Sequence, residues 1–260
     1  MHDGELQFAT ESWRAVFASD GIRDFDSLWN LDGTAAEPAN ERRGGWSGVT
    51  IIELGDPQAP QRFFLKRQLN HGTRNWRHPL RGEPTFAREW RNIRRLLQLG
   101  VPTVEPVVFA KRRGPDGTRA MLVTAALEGY RPLDEFLAET AVFNMPRAGA
   151  GALSRRIAQA VAPMHRARMR HGSLYPKHLF VRATDAAMRD FDVRLIDLEK
   201  ARSTLTIMSA ALRDISQLDR HSPAMPLKRR LRFLRDYWNA LGIGGSPFRL
   251  RERLVERASR

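Results

Sequence analysis

The sequence predicts an α+β protein of two unequal lobes, a small β-rich one with a single key helix and a larger, mainly helical one. Three observations predict it. Between residues 43 and 127, strand-like runs bounded by Gly and Pro alternate with one helical pattern. From Leu133 onward helical spacing prevails, broken by one polar loop and hairpin. And 260 residues with 42% hydrophobic content can bury a small core beside a larger one. The expected organisation is residues 1–42 as a poorly defined N-terminal extension, 43–127 as the small lobe and 128–260 as the large lobe.

The elements follow in order. A short helix is expected near Glu11–Ala18, then a loose connection. Val49–Leu54 is β-branched before the Gly55-Asp56-Pro57 turn, and Gln61–Gln68 is the next strand, so the pair reads as a hairpin. Asn70–Pro84, rich in His, Arg, Gly and Asn, reads as an exposed loop. Phe86–Leu99 places Phe86, Trp90, Ile93, Leu96 and Leu97 at helical spacing, and Gly100 and Pro102 end it. Val104–Lys111 and Arg119–Ala125 are strands joined by Gly114-Pro115-Asp116-Gly117. A further helix, marked by Ile157, Val161 and Met164, delivers the chain into His171.

No apolar run approaches the about 20 residues of a membrane span, and the start lacks the charged-then-apolar layout of a signal peptide. A cytoplasmic chain is expected. It has no cysteine, which excludes disulfides, thiol nucleophiles and cysteine-ligated zinc. A net charge of +14 predicts attraction to anions: nucleic acid, an anionic membrane surface or a phosphorylated glycan. No zinc spacing, helix-turn-helix pattern or aromatic RNA-binding motif accompanies the charge, which disfavours nucleic acid. Five of the 43 basic residues are lysines and the rest arginines, so each lysine is informative.

His171-Gly172-Ser173-Leu174-Tyr175-Pro176-Lys177-His178-Leu179-Phe180, followed by Leu195-Ile196-Asp197-Leu198-Glu199, carries the most chemistry. Its spacing resembles the kinase catalytic loop, H-R-D-x-x-x-x-N, with a magnesium-binding acid on the next hairpin. Ser173 stands where the catalytic base would, and His178 where an asparagine holds metal. His171 reads as a core histidine that bonds backbone carbonyls. Asp197 is the expected magnesium ligand, or else a turn-capping aspartate. Asp214 either anchors the loop from an adjoining helix or is an N-cap.

Phosphoryl transfer also requires a phosphate cradle and a lysine–glutamate pair. Gly44, Gly45 and Gly48 could let backbone N–H groups approach phosphates, or could mark a plain hairpin turn. Lys66 follows the apolar Phe63-Phe64-Leu65, where it either faces a cleft or sits on an edge strand in water. Glu89, on the expected helix, is its candidate partner; Arg88, Arg91 or Arg95 could claim Glu89 instead.

From about Gly45 to Leu218 the chain resembles the lipopolysaccharide core kinase family, the Kdo/WaaP group, and most closely its InaA branch. Glu89–Leu96 with Leu99–Thr103, Met164-His165, His171–Phe180 and Ile196–Arg202 carry the resemblance. It implies a protein-kinase-like fold, ATP with Mg2+, and phosphorylation of a heptose or Kdo hydroxyl of the lipopolysaccharide inner core, free or as a lipid-linked precursor. It implies work at the inner face of the cytoplasmic membrane, with peripheral contact to anionic lipid. The heptose kinases of this family keep His-Arg-Asp where this chain has His171-Gly172-Ser173. A pseudokinase that binds nucleotide or a partner protein without phosphotransfer is the alternative.

Overall fold

In the computed structural model, which describes residues 3–42, 45–75, 78–139, 145–223 and 225–244, the chain divides into two units. The first comprises Met1–Arg94 with Val104–Ala126, the second Arg95–Thr103 with Leu127–Arg260.

The first unit opens with β1 (Gln7–Phe8), α1 (Glu11–Ser19), α2 (Phe25–Trp29) and β2 (Thr34–Arg42). β3 (Gly45–Leu54), β4 (Gln61–Leu69), β5 (Gly72–Asn75), β6 (His78–Pro84), α3 (Thr85–Gln98), β7 (Pro106–Gly114) and β8 (Gly117–Ala125) follow. Six strands form one antiparallel sheet in the order β1-β7-β8-β4-β3-β2. Side chains alternate across a strand, so β4 sends Phe63 and Leu65 to one face and Lys66 and Gln68 to the other. The first face packs against Phe17, Ile22, Phe25 and Leu28 of the N-terminal helices and their connection. Phe17 meets Phe63 edge to face with ring centroids 5.4 Å apart. On the other face lies α3, whose Phe86, Trp90, Ile93 and Leu96 are buried and whose Trp90 stacks on Phe109.

Two expectations are corrected. Residues 3–42 are no loose extension: they supply two strands of the sheet and part of its core. Their helices have nine and five residues, too short for a sustained apolar period, and are fixed by side-chain caps from Thr10 and Asp24. Asn70–Pro84, expected as a loop, contains the antiparallel β5–β6 ribbon. Its polar sequence has no two-residue alternation to betray a strand.

The second unit holds β9 (Arg131–Pro132), α4 (Leu133–Glu139), α5 (Arg147–Arg166), β10 (Met169–Arg170), β11 (Leu179–Ala183), β12 (Phe191–Leu195), β13 (Arg202–Ser203), α6 (Ile207–Arg220) and α7 (Leu227–Leu241). Single 3-10 turns at Pro176–His178 and Leu198–Lys200 flank the β11–β12 hairpin. α5 buries Ile157, Val161, Met164 and His165 along one stripe. Past its end Arg168 takes a left-handed φ of 54°, which turns the chain into β10. β10 pairs with β13, so the two ends of the loop-and-hairpin block are tied together.

Candidate active site

In the first unit Lys66 Nζ donates to Glu89 Oε1 at 2.7 Å, with the side chains 21% and 2% exposed. β4 lies between β8 and β3, so the edge-strand reading of Lys66 does not hold. A lysine on a central strand, pointing away from the Phe63 face, meets the helix that covers the other side. Gln68, two residues on and on the same face, fixes that helix. Its buried Oε1 accepts from Thr85 Oγ1 at 2.7 Å and from Phe86 N at 3.2 Å, at the start of α3. Arg91 pairs with Glu83 rather than with Glu89. Sequence reasoning missed Gln68, although its two-residue offset from Lys66 was the available signal.

Of the three glycines, Gly44 lies outside the described residues. Gly45 opens β3 opposite Arg42, and a Cβ there would come within 2.7 Å of the Leu69 and Asn70 carbonyl oxygens. Its need for glycine is therefore met by strand packing. Gly48 has ordinary room for a Cβ, the nearest atom being Trp46 at 3.6 Å.

In the second unit the loop from His171 to His178 hangs on α6. Asp214, fully buried, accepts from the backbone N of His171 at 2.6 Å and of Gly172 at 3.0 Å, and pairs with His165 Nε2 at 2.9 Å. His165 Nδ1 lies 2.6 Å from Tyr237 Oη on α7. Because the carboxylate only accepts, Nε2–H donates to it, and Nδ1 and the phenol share the second bond. Burial pushes Asp214 upward, but the His165 bond and the loop N–H groups outweigh it and hold the carboxyl below its ordinary range. Burial, with Asp214 nearby, raises the Tyr237 phenol, so it keeps its proton. Gln217, one turn after Asp214, accepts from Leu174 N at 3.1 Å. His165, Tyr237 and Gln217 were not among the expected site residues; only Gln217 had a signal, its three-residue offset from Asp214.

His171 donates from Nε2 to the Ile196 carbonyl at 3.0 Å, and burial lowers its pKa to about 4. It is a neutral strut between the loop and the residue before Asp197. Gly172 has φ +82°, and a Cβ there would lie 2.7 Å from the Lys200 carbonyl oxygen. An arginine would not fit this backbone unchanged. Ser173 is 1% exposed, and its carbonyl accepts from Tyr175 N and from His178 Nδ1, each at 2.8 Å.

With its Nδ1 proton committed to Ser173, neutral His178 presents the Nε2 lone pair to Asp197 Oδ2 at 3.4 Å. Burial lowers the His178 pKa despite the carboxylate's pull, so two acceptors face each other. A divalent cation between them would relieve this, and the donor set, one carboxylate oxygen and one imidazole nitrogen, fits such an ion. Asp197 itself takes a left-handed φ of 58°. No helix among the described residues is long and apolar enough to cross a membrane.

Known proteins are similar to this chain along most of its length. Protein InaA of Escherichia coli is 30% identical over 204 residues, covering 78% of this chain and 90% of InaA. The lipopolysaccharide core heptose(I) kinase WaaP of Pseudomonas aeruginosa is 33% identical over 157 residues, 58% of each chain. A solved structure of WaaP in complex with acyl carrier protein superposes with a TM-score of 0.69 at 24% identity, covering 98% of both chains, so the fold is kinase-like. The profile of the lipopolysaccharide kinase (Kdo/WaaP) family matches residues 26–237. With this match spanning most of the sequence, the chain belongs to the lipopolysaccharide kinase (Kdo/WaaP) family.

Proposed function

We propose that this chain transfers the γ-phosphoryl group of ATP to a heptose or Kdo hydroxyl of the lipopolysaccharide inner core. The Lys66–Glu89 pair carries the reading, because a lysine kept on a central strand and aimed by a buried carboxylate has no packing role that an apolar residue would not fill better. In this reading Lys66 donates to phosphate oxygens while Glu89 holds it in position. Asp197 and His178 hold magnesium, which neutralises phosphate charge when bound. Gly45 and Gly48 border the phosphates from the β2–β3 hairpin. Asp214, Gln217 and His171 keep the loop in one conformation, so the acceptor meets a preorganised surface. The protein works at the inner face of the cytoplasmic membrane on the core oligosaccharide or its lipid-linked precursor, and its +14 charge suits a phosphorylated glycan and anionic lipid.

Acyl carrier protein joins the expected partners, since the WaaP structure sharing this fold is of such a complex. A cavity of about 500 Å³ in the second unit, lined by Leu153, Ile157, Ile215 and Phe233 with Arg147 and Lys228, would take an acyl chain. Co-purification with acylated but not chain-free carrier protein tests this.

The decisive experiment is transfer of labelled γ-phosphate from ATP to purified core oligosaccharide. Transfer that depends on Lys66 and Asp197 supports the kinase. ATP binding without transfer supports the pseudokinase, which the burial of Ser173 favours. A dissociative transition state asks little of a base, so transfer without one is slower by about 10²–10⁴ rather than abolished.

A further inference from the structure

We infer that the turn displaying Leu205 docks this chain on an anionic bilayer surface. Leu205 is 91% exposed, more than any other large apolar side chain among the described residues. A leucine on a slack loop could fold back against the protein; this one is held out. Thr204 donates its backbone N–H to the Arg168 carbonyl at 2.7 Å, and its hydroxyl reaches the same oxygen at 3.1 Å. On the other side Thr206 forms a capping box with Ser209 at the start of α6. Arg168 accepts the Thr204 bonds while held in a left-handed conformation that non-glycine residues rarely adopt. Ile207 and Met208, both partly exposed, extend the apolar tip along the first turn of α6.

Arginines lie on the segments that carry the tip. Arg202 stands opposite Arg170 in the β10–β13 pairing, Arg95 Nη1 reaches Ser203 Oγ at 3.3 Å, and Arg168 adjoins β10. Arg95, Arg168 and Arg202 are exposed and make no ion pair among the described residues. An exposed leucine on segments bearing guanidinium groups without an ion pair among the described residues matches the chemistry of a bilayer interface: the leucine enters the acyl boundary while the arginines stay at the phosphate headgroups. A protein partner would more naturally face a broad apolar patch than one leucine with two partly exposed neighbours. α6 also carries Asp214 and Gln217, so docking at its start sets the catalytic-type loop next to the lipid surface. The inference deepens the membrane contact in the reading above and rests on it for its biological purpose, though its physical content is separable.

The full chain is sedimented with vesicles of equimolar phosphatidylglycerol and phosphatidylcholine, and with phosphatidylcholine alone. It should bind the anionic vesicles only. Leu205→Ser, neutral and on the surface, should weaken partitioning by about tenfold or more. Arg168→Gln and Arg202→Gln should each weaken it by roughly fivefold at low salt. Leu227→Ser, removing the next most exposed leucine, should change nothing. Unaltered binding by Leu205→Ser would overturn the inference, as would an equal loss in Leu227→Ser or equal binding to the neutral vesicles. Phosphate transfer to delipidated core oligosaccharide is measured on the same variants. Its absence even in the unaltered protein would remove the kinase reading while leaving the vesicle result to stand.

Discussion

Asp214→Asn tests whether the loop is held by charge or merely by shape. Asp214 Oδ2 receives the His171 N–H and the His165 Nε2–H, and Oδ1 receives the Gly172 N–H. Asparagine has one acceptor oxygen. Placed at Oδ2, it keeps two bonds at neutral strength and turns its NH2 group against the Gly172 N–H. The loss is one charge-assisted bond, about 1.5–3 kcal/mol, plus a buried unsatisfied donor, about 1–3 kcal/mol. The total, about 2.5–6 kcal/mol, brackets the about 3–5 kcal/mol usual for removing one member of a buried charged pair. The measurement is the urea midpoint and slope at neutral pH, with phosphate transfer as a second readout. Asp214 has a lowered pKa in the folded state, so its stabilisation is complete above the unfolded value and is lost as pH falls through the folded one. The gap between Asp214→Asn and the unaltered protein should therefore shrink as pH falls below about 4. A neutral-pH loss under about 1 kcal/mol, with the slope unchanged, would refute the reasoning.

Further outcomes are expected. Lys66→Met should abolish the ATP-induced rise in melting temperature; an unchanged shift would remove the nucleotide role of the first unit. Asp197→Asn should eliminate magnesium-dependent nucleotide binding while His178→Asn retains it, because carboxylate oxygen suits magnesium better than imidazole does, and the reverse ranking would relocate the metal. Ser173→Asp places a carboxylate at a residue 1% exposed, so it should lower the melting temperature and leave transfer no faster; faster transfer would mean the loop opens to the acceptor. Gly172→Arg should destabilise the fold more than Gly48→Ala, since only Gly172 combines positive φ with a backbone oxygen at 2.7 Å.

Contacts were legible in the sequence where local periodicity fixed the elements of both partners. Lys66 and Glu89 are such a pair: apolar alternation set the strand, three-and-four spacing set the helix, and the two meet at 2.7 Å. The order of His171, His178 and Asp197 along the chain was legible in the same way, while their chemical roles belong to the proposed function. His165 and Tyr237 were not, because each acts through a partner distant in sequence, and a buried histidine or tyrosine carries no local signature of its partner. Tyr237 bonds a histidine 72 positions earlier.

The sequence by itself determined the two-lobed order, the strand and helix that bear Lys66 and Glu89, the loop spacing and the anion-seeking charge, all properties of local periodicity and composition. Only the tertiary structure decided that residues 3–42 complete the sheet, since short capped helices gain their stability from the face they cover. It alone showed that Ser173 is enclosed and that Gly172 is required by the Lys200 carbonyl. It likewise placed His178 Nδ1 on the Ser173 carbonyl and Nε2 3.4 Å from Asp197 Oδ2. Burial and hydrogen-bond partnership belong to contacts between distant segments, and no short window of sequence contains them.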